Sequence, residues 1–226
     1  MPDRTTGRTS AADTIDARLI VTWLSLAADD LHEACPRLTE LDAARGDADH
    51  GVNMDRGFRA IADDLAARPP SSAAAALLQA AGVLRKVMGG TTGPLWATAL
   101  RRAGKSLEDD HSHGAGSIAD ALFAAAEAVS DIGGAREGDN TMLDALLPAA
   151  RALQQQHQAG STLPEACVAA TAAADEAAGA TSKRVARKGR ASYLGERGIG
   201  TPDPGAVSTA VVIGALGKAR SEPEPD

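Results

Sequence analysis

Aromatic residues are scarce in this 226-residue chain: two Trp, one Tyr and two Phe, 2% in all. β-Sandwiches and barrels lean on aromatic and β-branched side chains, so an interior without them points to close-packed helices filled with Ala, Leu, Val and Ile. Cysteine is nearly absent as well. Cys35 and Cys167 lie far apart with no CxxC spacing, so neither a disulfide framework nor a zinc knuckle can be argued, and a reducing cytoplasm is the natural home. Basic residues form no stripe outside Lys183 to Arg190, and the formal net charge is -7 with a pI near 5.2, so nucleic-acid binding is disfavoured. No charge-free apolar run of about 18 residues occurs and the N-terminus is polar, so neither a membrane span nor a signal peptide is expected.

What is present is apolar enough to fold: 44% hydrophobic against 23% charged residues excludes disorder of the whole chain. The expected organisation is one domain over 10–219, with flexible tails at 1–9 and 220–226. Ser10 to Asp13 reads as a capping box for a long first helix, with Ile15, Leu19, Trp23 and Leu26 on one face and an end near Pro36. Further helices are expected over 52–67, closed by Pro69-Pro70, and over 72–88, stopped by Gly89-Gly90. A fourth should cover 94–103 and a fifth 117–130. The sixth opens at Thr141, where Thr141 to Asp144 forms a second box, and Pro148 is placed to kink it. The seventh starts at Thr162-Leu-Pro-Glu165 and ends near Lys183. After a Gly- and charge-rich stretch, the eighth covers 206–218. Eight helices, no period-2 strand and short connections predict an all-α antiparallel bundle or barrel.

Three segments carry candidate chemistry. Asp42, Asp47 and Asp49 put three carboxylates within eight positions around a glycine, a repulsive arrangement that a hard divalent cation such as Mg²⁺ would relieve. The competing reading has Asp47 and Asp49 capping the next helix. The pattern is no EF-hand, since the terminal bidentate Glu is missing. Gly89-Gly-Thr-Thr-Gly-Pro94 precedes a helix and is either a phosphate cradle or a plain capping turn; it lacks the Walker A lysine. The stretch 187–205 holds four basic residues and Thr-Pro-Asp-Pro-Gly, and Arg190 could clamp a phosphate bidentately. Its bland alternative is a surface loop, but unstructured loops of this length inside compact domains are more often functional. His50, beside Asp49, reads as a hydrogen-bonding or capping residue, and His111 and His113 as solvent-exposed.

The order of these pieces resembles the L subunit (DhaL) of dihydroxyacetone kinases, the nucleotide-binding component. The resemblance rests on Leu38-Thr-Glu-Leu-Asp42, Gly46-Asp-Ala-Asp-His-Gly51, Asn53-Met, Arg56-Gly-Phe58, Gly89 to Leu95, Gly138-Asp-Asn-Thr-Met142, Arg187 to Arg197 and Asp203-Pro-Gly205. It implies an eight-helix antiparallel barrel whose loops at one end bind ADP or ATP with two Mg²⁺ ions. Asp42, Asp47 and Asp49 fall on its metal-ligating positions. His50, Gly51, Val52, Asn53, Thr91 and Thr92 fall on positions contacting the phosphates. Gly133, Met142, Arg190, Asp203, Pro204 and Gly205 would surround the rest of the nucleotide. Thr91-Thr92 keeps the hydroxyl where the family often has Ala or Ser followed by Ser or Thr. Asn140, where the family often has Lys, reads as a surface change.

By the same resemblance this chain carries no catalytic residue of its own. It is a phosphotransferase subunit that passes a terminal phosphoryl group to dihydroxyacetone held by a separate K subunit. In phosphotransferase-linked versions a phosphohistidine protein, the M subunit, recharges the bound nucleotide. A homodimer is left open. The alternatives are the same module in a kinase for another ketose or tetrose, or a non-catalytic, nucleotide-loaded regulator of a transcription factor.

Overall fold

Asp16 begins the first helix, its Oδ1 accepting the Leu19 amide at 2.8 Å, and in the computed structural model α1 then runs Ala17–Ala43. The structure describes residues 14–109 and 114–221. The Ser10 to Asp13 box, His111 and His113 therefore lie outside the described residues. Contrary to the expected end near Pro36, the helix passes through it. Leu31 and Leu38 are both fully buried on either side, while Pro36 itself faces solvent. The one hydrogen bond that a proline removes is thus lost where water can replace it, and core packing carries the helix on.

The helices that follow are α2 (His50–Ala67), α3 (Ala73–Val87), α4 (Thr92–Asp109), α5 (Ala115–Gly133), α6 (Leu143–Gln158), α7 (Leu163–Ala180) and α8 (Pro204–Ser221). Two 3-10 segments, Thr181–Lys183 and Arg190–Gly198, lie between α7 and α8, and no strand occurs among the described residues. Local signals explain several starts: Ser72 Oγ accepts the Ala75 amide at 3.0 Å, and Thr162 with Glu165 forms a reciprocal capping box. α4 outruns its expected end at Ala103 because Ala103 and Leu107 are buried and Gly104 lets the helix lie close on Ala74 and Leu77 of α3. At α6 the expected box changes form. Asp144 Oδ2 accepts the Thr141 amide at 2.8 Å, but the helix begins two residues later at Leu143, and Pro148 sits inside it.

Each helix packs on the next and α8 returns to α1, which closes the ring into an antiparallel barrel. Trp23 Nε1 donates to the Val212 carbonyl at 2.7 Å across the α1–α8 seam, and Phe58 meets Trp96 edge-on with centroids 5.4 Å apart. The rest of the core is rich in Leu and Ala: Ala27, Ala76, Ala80, Ala119, Ala145, Ala149, Ala166 and Ala170 are all essentially inaccessible. Small side chains let the helices approach closely, which is how so few aromatics suffice.

The up-and-down path has one consequence for function. The connections α1–α2, α3–α4, α5–α6 and α7–α8 all emerge at one end, with the N-termini of α2, α4, α6 and α8. Four positive dipole ends therefore point the same way. Every predicted site segment lies on this end, whereas the opposite end carries the connections at 68–72 and 159–162.

Candidate functional site

The acidic loop turns tightly between α1 and α2. Gly46 folds against Asp42, where a Cβ would lie 2.4 Å from the Asp42 carboxylate. Ala48 adopts φ +60, an αL conformation that costs a non-glycine residue about 1 kcal/mol. The result places one carboxylate oxygen each of Asp42, Asp47 and Asp49 within 4.8 Å of one another.

Helix capping, the competing reading of these carboxylates, is met by a different residue. Asp49 is the N-cap position of α2 but makes no side-chain cap bond. Instead Asp42 Oδ2, from the end of α1, accepts the amides of Asp49 at 2.9 Å and His50 at 3.1 Å. One Asp42 oxygen is thus committed to holding the start of α2, and Asp47 and Asp49 remain exposed at the loop surface. An all-oxygen, all-anionic donor set of this kind fits a hard divalent cation such as Mg²⁺.

His50 joins three helix starts. Its Nε2 lies 2.9 Å from Ser208 Oγ of α8 and its Nδ1 3.5 Å from Thr92 Oγ1 of α4. Ser208 Oγ itself donates to the Gly205 carbonyl at 3.1 Å, so the Nε2–H tautomer satisfies the chain of bonds. Burial lowers the His50 pKa against the opposing pull of Asp42 and Asp49, which keeps the imidazole neutral at pH 7. The reading of His50 as a hydrogen-bonding residue holds.

The neighbouring predicted residues gather around this point. Asn53 is buried, accepts from Arg56 at 2.7 Å and turns its amide toward Gly90. Gly205 approaches the Met142 amide, and Asp203 Oδ1 accepts the Ala206 amide at 2.8 Å as a cap of α8. Arg190 reaches back to Asp47, Nη2 to Oδ2, at 2.9 Å. Gly89, Gly90 and Thr91 lie exposed ahead of α4, and Val52 is exposed on the first turn of α2. Gly133 ends α5 beside Leu95, with no bond to the acidic cluster. A groove outside α5 and α6, lined by Phe123, Glu127, Ser130, Arg136 and Leu147 among others, takes in none of the predicted residues.

Two residues belong to this end that the sequence did not single out as such. Asn140, expected on the surface, is buried at φ +60, and its Nδ2 donates to the carbonyls of Thr181 and Arg184, both at 2.9 Å. The left-handed turn that Asn tolerates and the short amide both fit; the long chain of a lysine would not make these bonds. Asp144 is equally sunk, accepting Gly138, Thr141 and Arg184. The other is Arg45, whose guanidinium donates to the Gly198 carbonyl at 3.1 Å. Only a charged residue inside an acidic loop hinted at it, and such residues usually face solvent. Cys35 and Cys167 are both free thiols.

An all-helical barrel with a carboxylate cluster beneath converging helix N-termini defines a class of domain suited to binding a metal-complexed anion. Comparison with known proteins narrows the class. Residues 44–218 match the family model described as the DAK2 domain. The chain is 37% identical over 203 residues to the ADP-binding subunit DhaL of the PEP-dependent dihydroxyacetone kinase of Escherichia coli, covering 90% of this chain and 97% of that one. It is 36% identical over 209 residues to an L-erythrulose kinase of Pectobacterium atrosepticum, covering 92% of this chain but 35% of the kinase. Among solved structures, the dihydroxyacetone kinase of C. freundii superposes with a TM-score of 0.72 at 28% identity, over 96% of this chain and 37% of that one. The same kinase in complex with AMP-PNP and Mg²⁺ gives 0.70. The chain belongs to the DAK2-domain family that includes the DhaL subunits. It spans about a third of the length of the erythrulose kinase and of the C. freundii kinase.

Proposed function

We propose that this protein is the nucleotide-binding subunit of a dihydroxyacetone kinase. It would present the terminal phosphoryl group of Mg-ATP, either formed in place on bound ADP or taken up from solution, to dihydroxyacetone held by a separate K subunit, leaving ADP on this chain. The observation that carries the reading is the cluster of Asp42, Asp47 and Asp49 within 4.8 Å at the end where four helices begin. The names of the relatives support it, as does the AMP-PNP and Mg²⁺ complex of the C. freundii kinase.

Asp42, Asp47 and Asp49 would hold Mg²⁺, two ions on this reading, and the metal supplies charge neutralisation on the phosphoryl oxygens during transfer. The remaining work falls to the chain. The first turn of α2, residues His50 to Asn53, and Thr91 and Thr92 before and in α4 offer amides and hydroxyls to phosphate oxygens. Neutral His50 orients rather than exchanges protons, since both ring nitrogens are engaged. Arg190, Met142, Gly133 and the Asp203-Pro204-Gly205 turn would surround the rest of the nucleotide. On this reading the base for the acceptor hydroxyl belongs on the partner that holds the sugar.

The relatives support two acceptors, dihydroxyacetone and the tetrose erythrulose, and the sugar is chosen by the partner that binds it. A cytoplasmic setting follows from that partnership, as does an M-type phosphohistidine protein if the nucleotide is recharged in place. No helix among the described residues is long and apolar enough to cross a membrane.

The test is to denature the purified chain and identify released nucleotide and metal. ADP near one per chain with about two Mg²⁺ indicates a retained coenzyme, whereas an empty chain that binds added Mg-ATP indicates an exchanging kinase. A chain that binds neither refutes the proposal. Asp47→Ala and Asp49→Ala should stay helical and lose Mg-dependent ADP binding; retention in both removes the metal assignment.

A further inference from the structure

Arg45 is the charged residue at this end whose burial the site leaves unexplained. It lies between Asp42 and Asp47 in sequence, yet its side chain is 1% exposed. Burying a guanidinium costs several kcal/mol unless its partners offset the loss of water. Its partners come from one segment. Nη2 donates to the Gly198 carbonyl at 3.1 Å, and Nη1 faces Asp203 Oδ2 at 4.0 Å. Nε and Nη1 have no hydrogen-bond partner among the described residues. Arg45 therefore faces both ends of the stretch from the 3-10 segment to the start of α8, across 153 residues of sequence to Gly198.

A second tie joins the same two loops. Arg190 and Asp47 meet at 2.9 Å, but their side chains are 68% and 39% exposed, and such pairs contribute roughly 0–1 kcal/mol. Asp47 also belongs to the carboxylate cluster, so engaging that carboxylate elsewhere releases Arg190. None of Arg45's contacts is a cluster carboxylate. The exposed tie can be exchanged during the working cycle, and the buried one is built to persist.

The geometry points to Arg45 as a positioning residue that pins the 190–205 segment to the α1–α2 loop and thereby sets how slowly a bound nucleoside diphosphate leaves. The second half of this statement rests on the nucleotide reading above; the pinning does not. Arg45 touches no reacting atom. It acts by holding Arg190 and the Asp203-Pro204-Gly205 turn over the acidic loop. When it is lost, the segment keeps the Gly200 amide on the Ser182 carbonyl and the Asp203 amide on Thr181 Oγ1, both at 2.8 Å, but its remaining side-chain tie to the α1–α2 loop is the exposed Arg190 pair.

The experiment compares wild type, Arg45→Met and Arg45→Lys as full-length chains. Hydrogen exchange without ligand is followed first, and then release of a fluorescent ADP analogue in Mg²⁺ by stopped flow. Arg45→Met keeps the aliphatic volume and should retain its helical circular dichroism. Amides of 190–199 should exchange at least about tenfold faster while the helices keep their protection, and release should quicken on the order of ten- to a hundredfold. Arg45→Lys, with one compact donor in place of the fork, should recover part of both effects. Wild-type exchange and release in Arg45→Met overturn the inference, and so does exchange raised evenly through all helices, which marks a merely structural role. Should Arg45→Met fail to fold, Arg45→Lys decides by the same two readouts, because it cannot face Gly198 and Asp203 together; wild-type values there overturn the pinning. A wild-type chain that binds no Mg-ADP defeats the nucleotide reading, and the exchange arm still decides the pinning.

Discussion

Asp203 is a carboxyl group under opposing influences. Burial raises its pKa to about 7, against the amides of Ala206 and Gly205 and the Arg45 guanidinium, which favour the charged form. Desolvation wins because Arg45 stands at 4.0 Å, beyond hydrogen-bond reach. The native state therefore binds a proton more tightly than the unfolded chain, where an aspartate titrates near 4. Its contribution to stability is full below about pH 4 and is lost as pH rises toward 7, by about 1.4 kcal/mol per unit. Asp203→Asn removes this titration. Urea unfolding at pH 5 and pH 7.5 should show wild type losing stability relative to Asp203→Asn as pH rises, and a difference that stays constant refutes the buried carboxyl. At this scale the sequence was legible where chemistry is local. Three aspartates in one loop announce themselves, whereas Arg45 and Asn140 take their meaning from carbonyls 153 and up to 44 residues away. No spacing rule reaches across that separation, so Asn140 reads from sequence as a surface residue and Arg45 carries no signal of its burial.

Among elements, the start of α2 sets the site more than any other. Gly51 seats the helix directly on α1: a Cβ would lie 2.3 Å from the Cys35 carbonyl oxygen and 2.9 Å from the Thr39 amide nitrogen. Both are backbone atoms of a helix, next to Pro36, and cannot step aside as a flexible side chain could. Gly51→Ala should push the first turn of α2 away, lengthening the bonds from the Asp49 and His50 amides to Asp42. Overpacking of this kind costs about 1–3 kcal/mol, and Mg²⁺ affinity should fall together with the melting temperature. An alanine variant with unchanged metal binding would mean that the acidic loop is held independently of the helix it precedes. The boundaries of elements were readable where a cap supplies the signal, as at Ser72 and at the Thr162–Glu165 box. They were misread at Pro36 and Gly104, two residues that weaken helices in isolation. There the buried residues on both sides, Leu31 and Leu38 or Ala103 and Leu107, override local propensity, and only the folded ring reveals that packing.

For the whole molecule, the barrel separates what holds it together from what it binds. Phe58 is fully buried against Trp96 within the helical wall, whereas Asp49 lies exposed at the rim. Removing the ring in Phe58→Ala leaves a cavity where few large side chains exist to fill it, at about 3–5 kcal/mol. For a domain of this size that lowers the melting temperature by roughly ten degrees. The rim should feel little of this, since a ligand that binds only the folded state stabilises it by an amount fixed by its own affinity and concentration. Mg-ADP at about a hundred times its dissociation constant should then add about 2.7 kcal/mol to wild type and to Phe58→Ala alike. Asp49→Asn should behave in the opposite way, keeping or slightly raising the unliganded melting temperature as carboxylate repulsion is relieved and losing the ligand-induced rise. Thermal scans of the three proteins with and without Mg-ADP test the separation. A Phe58→Ala protein that melts like wild type, or an Asp49→Asn protein that keeps the full ligand shift, would show that the division between wall and rim does not govern this fold.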